Sequence, residues 1–494
     1  MNKKVEFKQV TPETCGISSA KVLEFISTLD DIKLRTHSIL FAKGDNIFSE
    51  CYYKPFDVNF LHRMYSVSKT FVAMAVGLAI TEGILDYDAS IVSFFPEFKN
   101  ENIDEYYNEC TVRNMLSMQS NIAQTVSWWG NFKSRIEAYY SVKTDKIPGT
   151  VFYYDSIGSF LLGCIIEKLT GKCFLEYLKE KVLLEIGFSK ESYVLKEPGG
   201  YSVGDSGVMC TTRDLFIFTR FIMKMGNWNG KQYIDRKFME DAISMQVVND
   251  IEGMSEYYGN QGYGYLTWKT HPDGFSLIGA GDQLAICDMK NDLTFIITSD
   301  NQSDGNSARR IIYHEYYKHF LPYVKENKLP EDPEAYDKLK KYLSSTVLIS
   351  RKGEKNSPLE EKINNKKYKA LENSLGISYF RLNFSEKMLE FKKDGKVLRL
   401  PFSLCENKLI DFSLKDRAVA DKMGYREIGT YSCASSAAWV TENQFSILCQ
   451  VIDTYMGGLY ITISFKDEKA TFVMKNSGQY VFSDAEGYVI GIME

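Results

Sequence analysis

The chain has 494 residues, 44% of them hydrophobic and 25% charged, with 59 Lys and Arg against 64 Asp and Glu. That length exceeds what one hydrophobic core usually serves, and the composition excludes a collagenous, a largely disordered or a coiled-coil chain, so two or more globular domains are expected. A formal charge of -5 repels polyphosphate, which argues against nucleic acid as a partner.

Lys3, Lys4, Glu6 and Lys8 stand where a secretory signal would need an unbroken apolar run. The longest apolar stretches, such as residues 71–80, stop far short of the roughly 20 residues that span a bilayer. A cytoplasmic, soluble protein without a membrane partner is the expectation. Ten cysteines are scattered with no C-x-x-C pair, which points to buried, reduced thiols instead of zinc or redox chemistry. His314 and His319 are five residues apart, one more than a metal-binding pair on one helix face prefers, so they read as structural or surface residues.

In chain order, a capped helix is expected over residues 18–29. A β-hairpin follows over residues 37–53, around the turn Lys43-Gly44-Asp45-Asn46. From Ser68 to Glu82, the residues Phe71, Val72, Met74, Ala75, Leu78 and Ala79 recur at helical spacing and Gly83 supplies the stop, which predicts a buried helix. Helical patterns continue over residues 104–188, broken at Pro148-Gly149. β-type runs return over residues 275–299 around Lys290-Asn291-Asp292. Strands flanking a helical middle predict one antiparallel sheet built from distant parts of the chain, the α+β class. Residues 329–369 are polar and repeatedly charged, with a short Lys-rich helix near residues 336–343, and read as a linker. Short alternating segments at 379–384, 388–391, 445–453, 460–465 and 470–474 predict an antiparallel barrel or sandwich. The expected division is 1–328, 329–369 and 370–494.

The tetrapeptide Ser66-Val67-Ser68-Lys69 lies where extended chain gives way to the buried helix. Residues three apart on a helix share a face, so the Lys69 amine can reach the Ser66 hydroxyl. A neutral amine there can deprotonate the serine as it attacks a carbonyl, and the helix N-terminus favours the developing negative charge. The spacing alone is common. Ser18-Ser19-Ala20-Lys21 has it too, and reads only as a helix cap. Gly204-Asp205-Ser206-Gly207 looks like a protease nucleophile loop, but no histidine stands in a matching setting, so it reads as a turn before the helix at Thr211-Thr212-Arg213-Asp214.

The surrounding segments add specificity. Val112 to Ser120 (VRNMLSMQS) resembles the "TVRHLLTMTSG" segment of the class C β-lactamase and penicillin-binding-protein-like serine hydrolases. Pro148 to Ser156 (PGTVFYYDS) resembles their "PGxxFxYSN", and Gly158 to Gly171 their "GxxLLGxIIExxTG". The likeness runs on through residues 184–188, 211–215, 226–230 and 279–288, about the first two-thirds of the chain. It implies a β-lactamase/transpeptidase-like domain, and the alternating segments beyond it are expected to form a β-rich, lipocalin-like barrel. It also implies that Ser66 is acylated, that Lys69 is its base, and that Tyr154 relays protons. The oxyanion hole would be the N–H groups of Ser66 and Ala280.

Two positions depart from the family pattern. Ser156 replaces the asparagine of the second motif and lacks the amide's reach. The third motif, commonly Lys or His, any residue, then Gly, aligns with Leu277-Ile278-Gly279, so its cationic or imidazole group is missing. The first departure points to altered recognition of a substrate amide; the second counts against recognition of a substrate carboxylate and against β-lactamase activity. Gly279 would let substrate lie against the strand backbone, and Trp128-Trp129-Gly130 would form either a hydrophobic wall over the site or ordinary packing. The expected function is a serine hydrolase of small esters, amides or peptides, with no metal or organic cofactor implied. A non-catalytic ligand-binding protein and a true β-lactamase or D-amino peptidase are the alternatives. The oligomeric state is left open.

Overall fold

In a computed structural model, the described residues are 7–494 except 99, 101–102, 124–133, 198, 251–253, 271–272, 305–306, 415–429, 479–480 and 483–484. The chain forms two compact units, residues 1–347 and 348–494. The boundary falls inside the stretch read as a linker. Its helix, Pro333–Ser344, belongs to the first unit, where its Tyr342 hydroxyl donates to Asp30.

The first unit is built on a seven-stranded sheet. Its strands are β1 (Lys8–Gln9), β2 (Thr36–Lys43), β3 (Asn46–Tyr52), β4 (Trp268–Thr270), β5 (Gly274–Gly279), β6 (Gln283–Asp288) and β7 (Leu293–Ser299), in the spatial order β1-β3-β2-β7-β6-β5-β4. All neighbours are antiparallel except β1 and β3. The expected hairpin is β2–β3. Its first strand pairs with β7, Phe41 opposite Phe295 and Leu40 opposite Ile296, so the sheet does join the two ends of the unit.

The central strands are buried on both faces, which is why they read as nearly continuous apolar runs. On one face, Phe25 of α1 (Ser19–Asp31) packs edge-on against Phe41 and Phe295. On the other, the Ser38 hydroxyl meets Thr212 at the start of the helix Thr212–Met223. α2 (Ser68–Thr81) is buried from Ser68 through Ala79 and packs on α3 (Ser156–Thr170). A helix apolar all round has no solvent face to offer, so only its first turn can present chemistry.

The second unit is an all-β, nearly closed barrel. Its path runs from Lys396–Pro401 through Met388–Lys393, Ile377–Asn383, Tyr368–Ala370, Gly487–Met493, Lys469–Asn476, Met456–Lys466 and Gln444–Ile452 to Tyr431–Thr441, which also pairs with Ser403–Leu404 and Lys408–Phe412. Trp439, Phe445, Phe391 and Phe472 fill its interior. Eight of the ten cysteines are buried and all ten are free. Among the described residues no helix is long and apolar enough to cross a membrane.

His37 of β2 stacks on Phe56 with ring centroids 4.0 Å apart and on His62 at 5.6 Å. Burial holds both imidazoles below the ordinary histidine range, His62 down to about 3. The folded state therefore refuses a proton that the unfolded chain accepts below pH 6.5, and stability is lost as pH falls from there towards 3. Replacing His62 with Leu should flatten that slope by up to about 1.4 kcal/mol per pH unit. Urea unfolding of the first unit at pH 4 to 7, wild type against variant, measures it.

Candidate active site

The chain enters α2 through the strand His62–Arg63 and a tight turn, Tyr65–Val67. Tyr65 has φ 46°, a left-handed conformation costly for a bulky side chain. Met64, Tyr65 and Val67 are buried, and Ser66 among them is half-exposed. One helical turn later, Lys69 Nζ donates to Ser66 Oγ at 3.0 Å. Lys69 is 1% exposed, and its second partner is the backbone carbonyl of Asp205, also at 3.0 Å.

The loop that supplies that carbonyl is pinned at several points. Ser68 Oγ accepts from Val208 N at 3.0 Å, Arg63 Nε donates to Ser206 O at 2.9 Å, and Arg135 forms a buried ion pair with the Asp205 carboxylate at 2.7 Å. Gly204 to Gly207, which the sequence presents as a turn, is thus both a turn and the seat of the lysine. No spacing in the sequence announces that Asp205 acts through its carbonyl, or that Arg135 steadies it.

Tyr154 is delivered by the two motif segments acting together. Gly149 N donates to Gln119 O, Gln119 Nε2 to Gly149 O, and Tyr153 N to Met118 O. Asp155 then caps α3, its Oδ1 accepting from Ile157 N at 2.7 Å. The Tyr154 ring centroid lies 5.1 Å from Lys69 Nζ. Behind it, Trp268 stacks at 5.3 Å and Tyr263 meets it edge-on at 6.3 Å. Thr70 of α2 donates to Leu266 O, tying that aromatic segment back to the same helix.

The third element is the end of β5. A Cβ on Gly279 would sit 2.3 Å from Met64 O, so only glycine allows this strand to approach the turn before Ser66. Ala280 follows in a tight turn, half-exposed, with its N–H free of any partner among the described residues. Arg309 holds this turn from behind, donating to Asp282 Oδ1 at 3.0 Å and to Gly279 O at 3.2 Å. Leu277 is buried and, two residues before Gly279, lies on the same face of the strand.

Ser66, Lys69, Tyr154 and Gly279 are therefore connected through shared contacts, with Ala280 next in chain. Ser156 is the first residue of α3, two beyond Tyr154. Trp128, Trp129 and Gly130 lie outside the described residues. Among the described residues, the one group of His, Cys, Asp or Glu side chains with metal-ligand spacing lies at 314–319, away from this motif set.

This fold and this geometry are those of a serine hydrolase of the β-lactamase fold. The Beta-lactamase family pattern matches residues 39–315, more than half of the chain, and the chain belongs to that family. It is similar to the 6-aminohexanoate-dimer hydrolase of Paenarthrobacter ureafaciens, 23% identical over 268 residues that cover 50% of this chain and 67% of that protein. It is also similar to penicillin-binding protein 4* of Bacillus subtilis strain 168, 23% identical over 345 residues, 60% of this chain and 71% of that one. A solved structure from Bacillus anthracis named for 6-aminohexanoate-dimer hydrolase shares the fold, with a TM-score of 0.52 at 19% identity, over 66% of this chain and 89% of that one.

Asp155 adds an ionisable group that the motifs do not announce. Its Oδ2 is buried without a hydrogen-bond partner, and burial pushes its carboxyl up to about 6, although Lys69 and Lys146 pull the other way. A raised carboxyl means the folded state keeps its proton longer than the unfolded chain, so this group's contribution to stability is full below pH 3.8 and lost as pH rises through about 6. Asp155→Asn retains a cap but cannot ionise. It should be more stable than wild type at pH 7, by up to about 3 kcal/mol, with the gap closing by pH 4. Paired urea melts at the two pH values test this.

Proposed function

We propose that the protein hydrolyses small esters, amides or short peptides through an acyl-enzyme on Ser66. The 3.0 Å contact between Lys69 Nζ and Ser66 Oγ carries this reading. As a free amine, Lys69 takes the hydroxyl proton while Oγ bonds to the substrate carbonyl carbon. The carbonyl oxygen becomes an oxyanion facing the N–H groups of Ser66 and Ala280. Collapse of this intermediate breaks the bond to the leaving alkoxide or amine, which receives the proton through Tyr154. Water then attacks the acyl group, gives up its proton by the same route, and releases the acid with Ser66 restored.

Substrates without a carboxylate fit this site best. Leu277 is buried and apolar at the position where related proteins commonly place Lys or His, and Arg309 is committed to Asp282 and Gly279. The likeness to a protein named 6-aminohexanoate-dimer hydrolase supports amides among the substrates, through the amide bond alone, since a linear 6-aminohexanoate dimer itself ends in a carboxylate. The non-catalytic alternative does not account for a serine left half-exposed beside a buried, hydrogen-bonded lysine.

The test is turnover of a neutral aryl ester, its carboxylate-bearing analogue and a penicillin. The neutral ester should have a kcat/KM at least about tenfold above the other two. Ser66→Ala should lower it by about 10³-fold or more, and Tyr154→Phe by about 10²- to 10⁴-fold. Activity surviving in Ser66→Ala, or inertness of the wild type towards all three, would contradict the reading.

A further inference from the structure

His314 closes the helix α4 (Ser307–His314), which passes without interruption into a π-helical turn, Glu315–Phe320. On a regular α-helix, residues five apart point about 140° away from each other. In a π-turn the hydrogen bonds run from i to i+5, so residues five apart come back to the same side of the helix. The spacing that counts against a pair on an α-helix therefore favours one here. The imidazoles of His314 and His319 lie with ring centroids 5.4 Å apart, and one donor atom from each of His314, Glu315 and His319 falls within 4.8 Å of the other two.

The backbone beneath these groups is fixed from the inside. Phe320 stacks on Phe41 at 4.6 Å and packs on Phe25 at 5.1 Å, while Tyr316 stacks on Phe295 at 5.7 Å, all within the core of the sheet. The π-turn is thus held by the aromatic side of the helix, and its opposite side presents the three donors. Both histidines are exposed and Glu315 is half-exposed, and none of the three makes a side-chain hydrogen bond or ion pair with another described residue. They are free to bind something else without first breaking a contact.

We infer that His314, Glu315 and His319 form a binding site for a divalent transition-metal ion of the zinc class. Two imidazole nitrogens and one carboxylate oxygen are the donor set that zinc takes with three protein ligands, leaving the fourth position to water. Tetrahedral ligation at the usual bond lengths needs donors about 3.3 Å apart, so side chains now within 4.8 Å must close by a small rotation, which exposed groups can make. Oxygen-seeking magnesium or calcium would gain little from such a set. The ion would clip His314 to His319 across the π-turn, in the helix whose Arg309 holds the Gly279 turn.

Isothermal titration of the full, chelator-treated chain with Zn²⁺ tests the site. The expected result is one ion per chain, with affinity reduced at least about tenfold in His319→Gln or His314→Gln and stoichiometric binding lost in the double variant. A Co²⁺-loaded wild type should lack thiolate charge-transfer absorption, which separates this site from the partly exposed Cys173 and Cys405. The substituted histidines are exposed, so the unliganded thermal midpoint should match wild type and serves as the folding control. Absence of stoichiometric Zn²⁺ binding by the wild type, undiminished binding by the double variant, or a thiolate spectrum would overturn the inference.

Discussion

Lys69 is 1% exposed, and the helix that carries it stays buried for the ten residues that follow. An amine in that position cannot be left without partners, because an unsatisfied buried donor costs about 1–3 kcal/mol and a charged one more. Two partners are supplied, Ser66 Oγ within the same turn and Asp205 O from a distant loop. Much of the first unit can be understood as holding those two in place. The Arg135–Asp205 pair, the Arg63 contact to Ser206 and the Ser68 contact to Val208 all fix the loop against the start of α2.

The same helix end organises the opposite wall. Thr70 ties down Leu266, and Leu266 N donates to Leu116 O, at the start of the segment that aligns the chain before Tyr154. Of three consecutive residues, Ser68 and Lys69 thus hold the 205–208 loop and Thr70 holds the segment at Leu266. Coupling of this kind makes the site rigid without making it local. Its parts come from residues near 66, 118, 154, 205, 268 and 279, and the sheet and helices bring them together.

Much of this was legible in the sequence. Helical periodicity with a glycine stop marks α2, alternation about Lys43-Gly44 marks the β2–β3 hairpin, and period-two segments mark the barrel strands. Ser66, Lys69 and Tyr154 carry motif spacing, so their neighbourhood could be anticipated. Three things could not. Asp205 contributes a backbone carbonyl, which no residue type encodes. The helix expected near residues 336–343, here Pro333–Ser344, hides its membership of the first unit behind its charge, and only Leu339 of it is fully buried. The π-turn after His314 inverts the meaning of a five-residue spacing, and a π-turn leaves no compositional mark.

The account stands or falls on whether the Ser66 hydroxyl is made reactive by the lysine one turn away. Mass mapping of the adduct formed with a fluorophosphonate, followed over time in wild type and Lys69→Ala, addresses that directly. A single phosphonylated peptide containing Ser66, formed at least about 10²-fold more slowly in Lys69→Ala, is the predicted result. Modification at another residue, or equal rates in the two proteins, would contradict it.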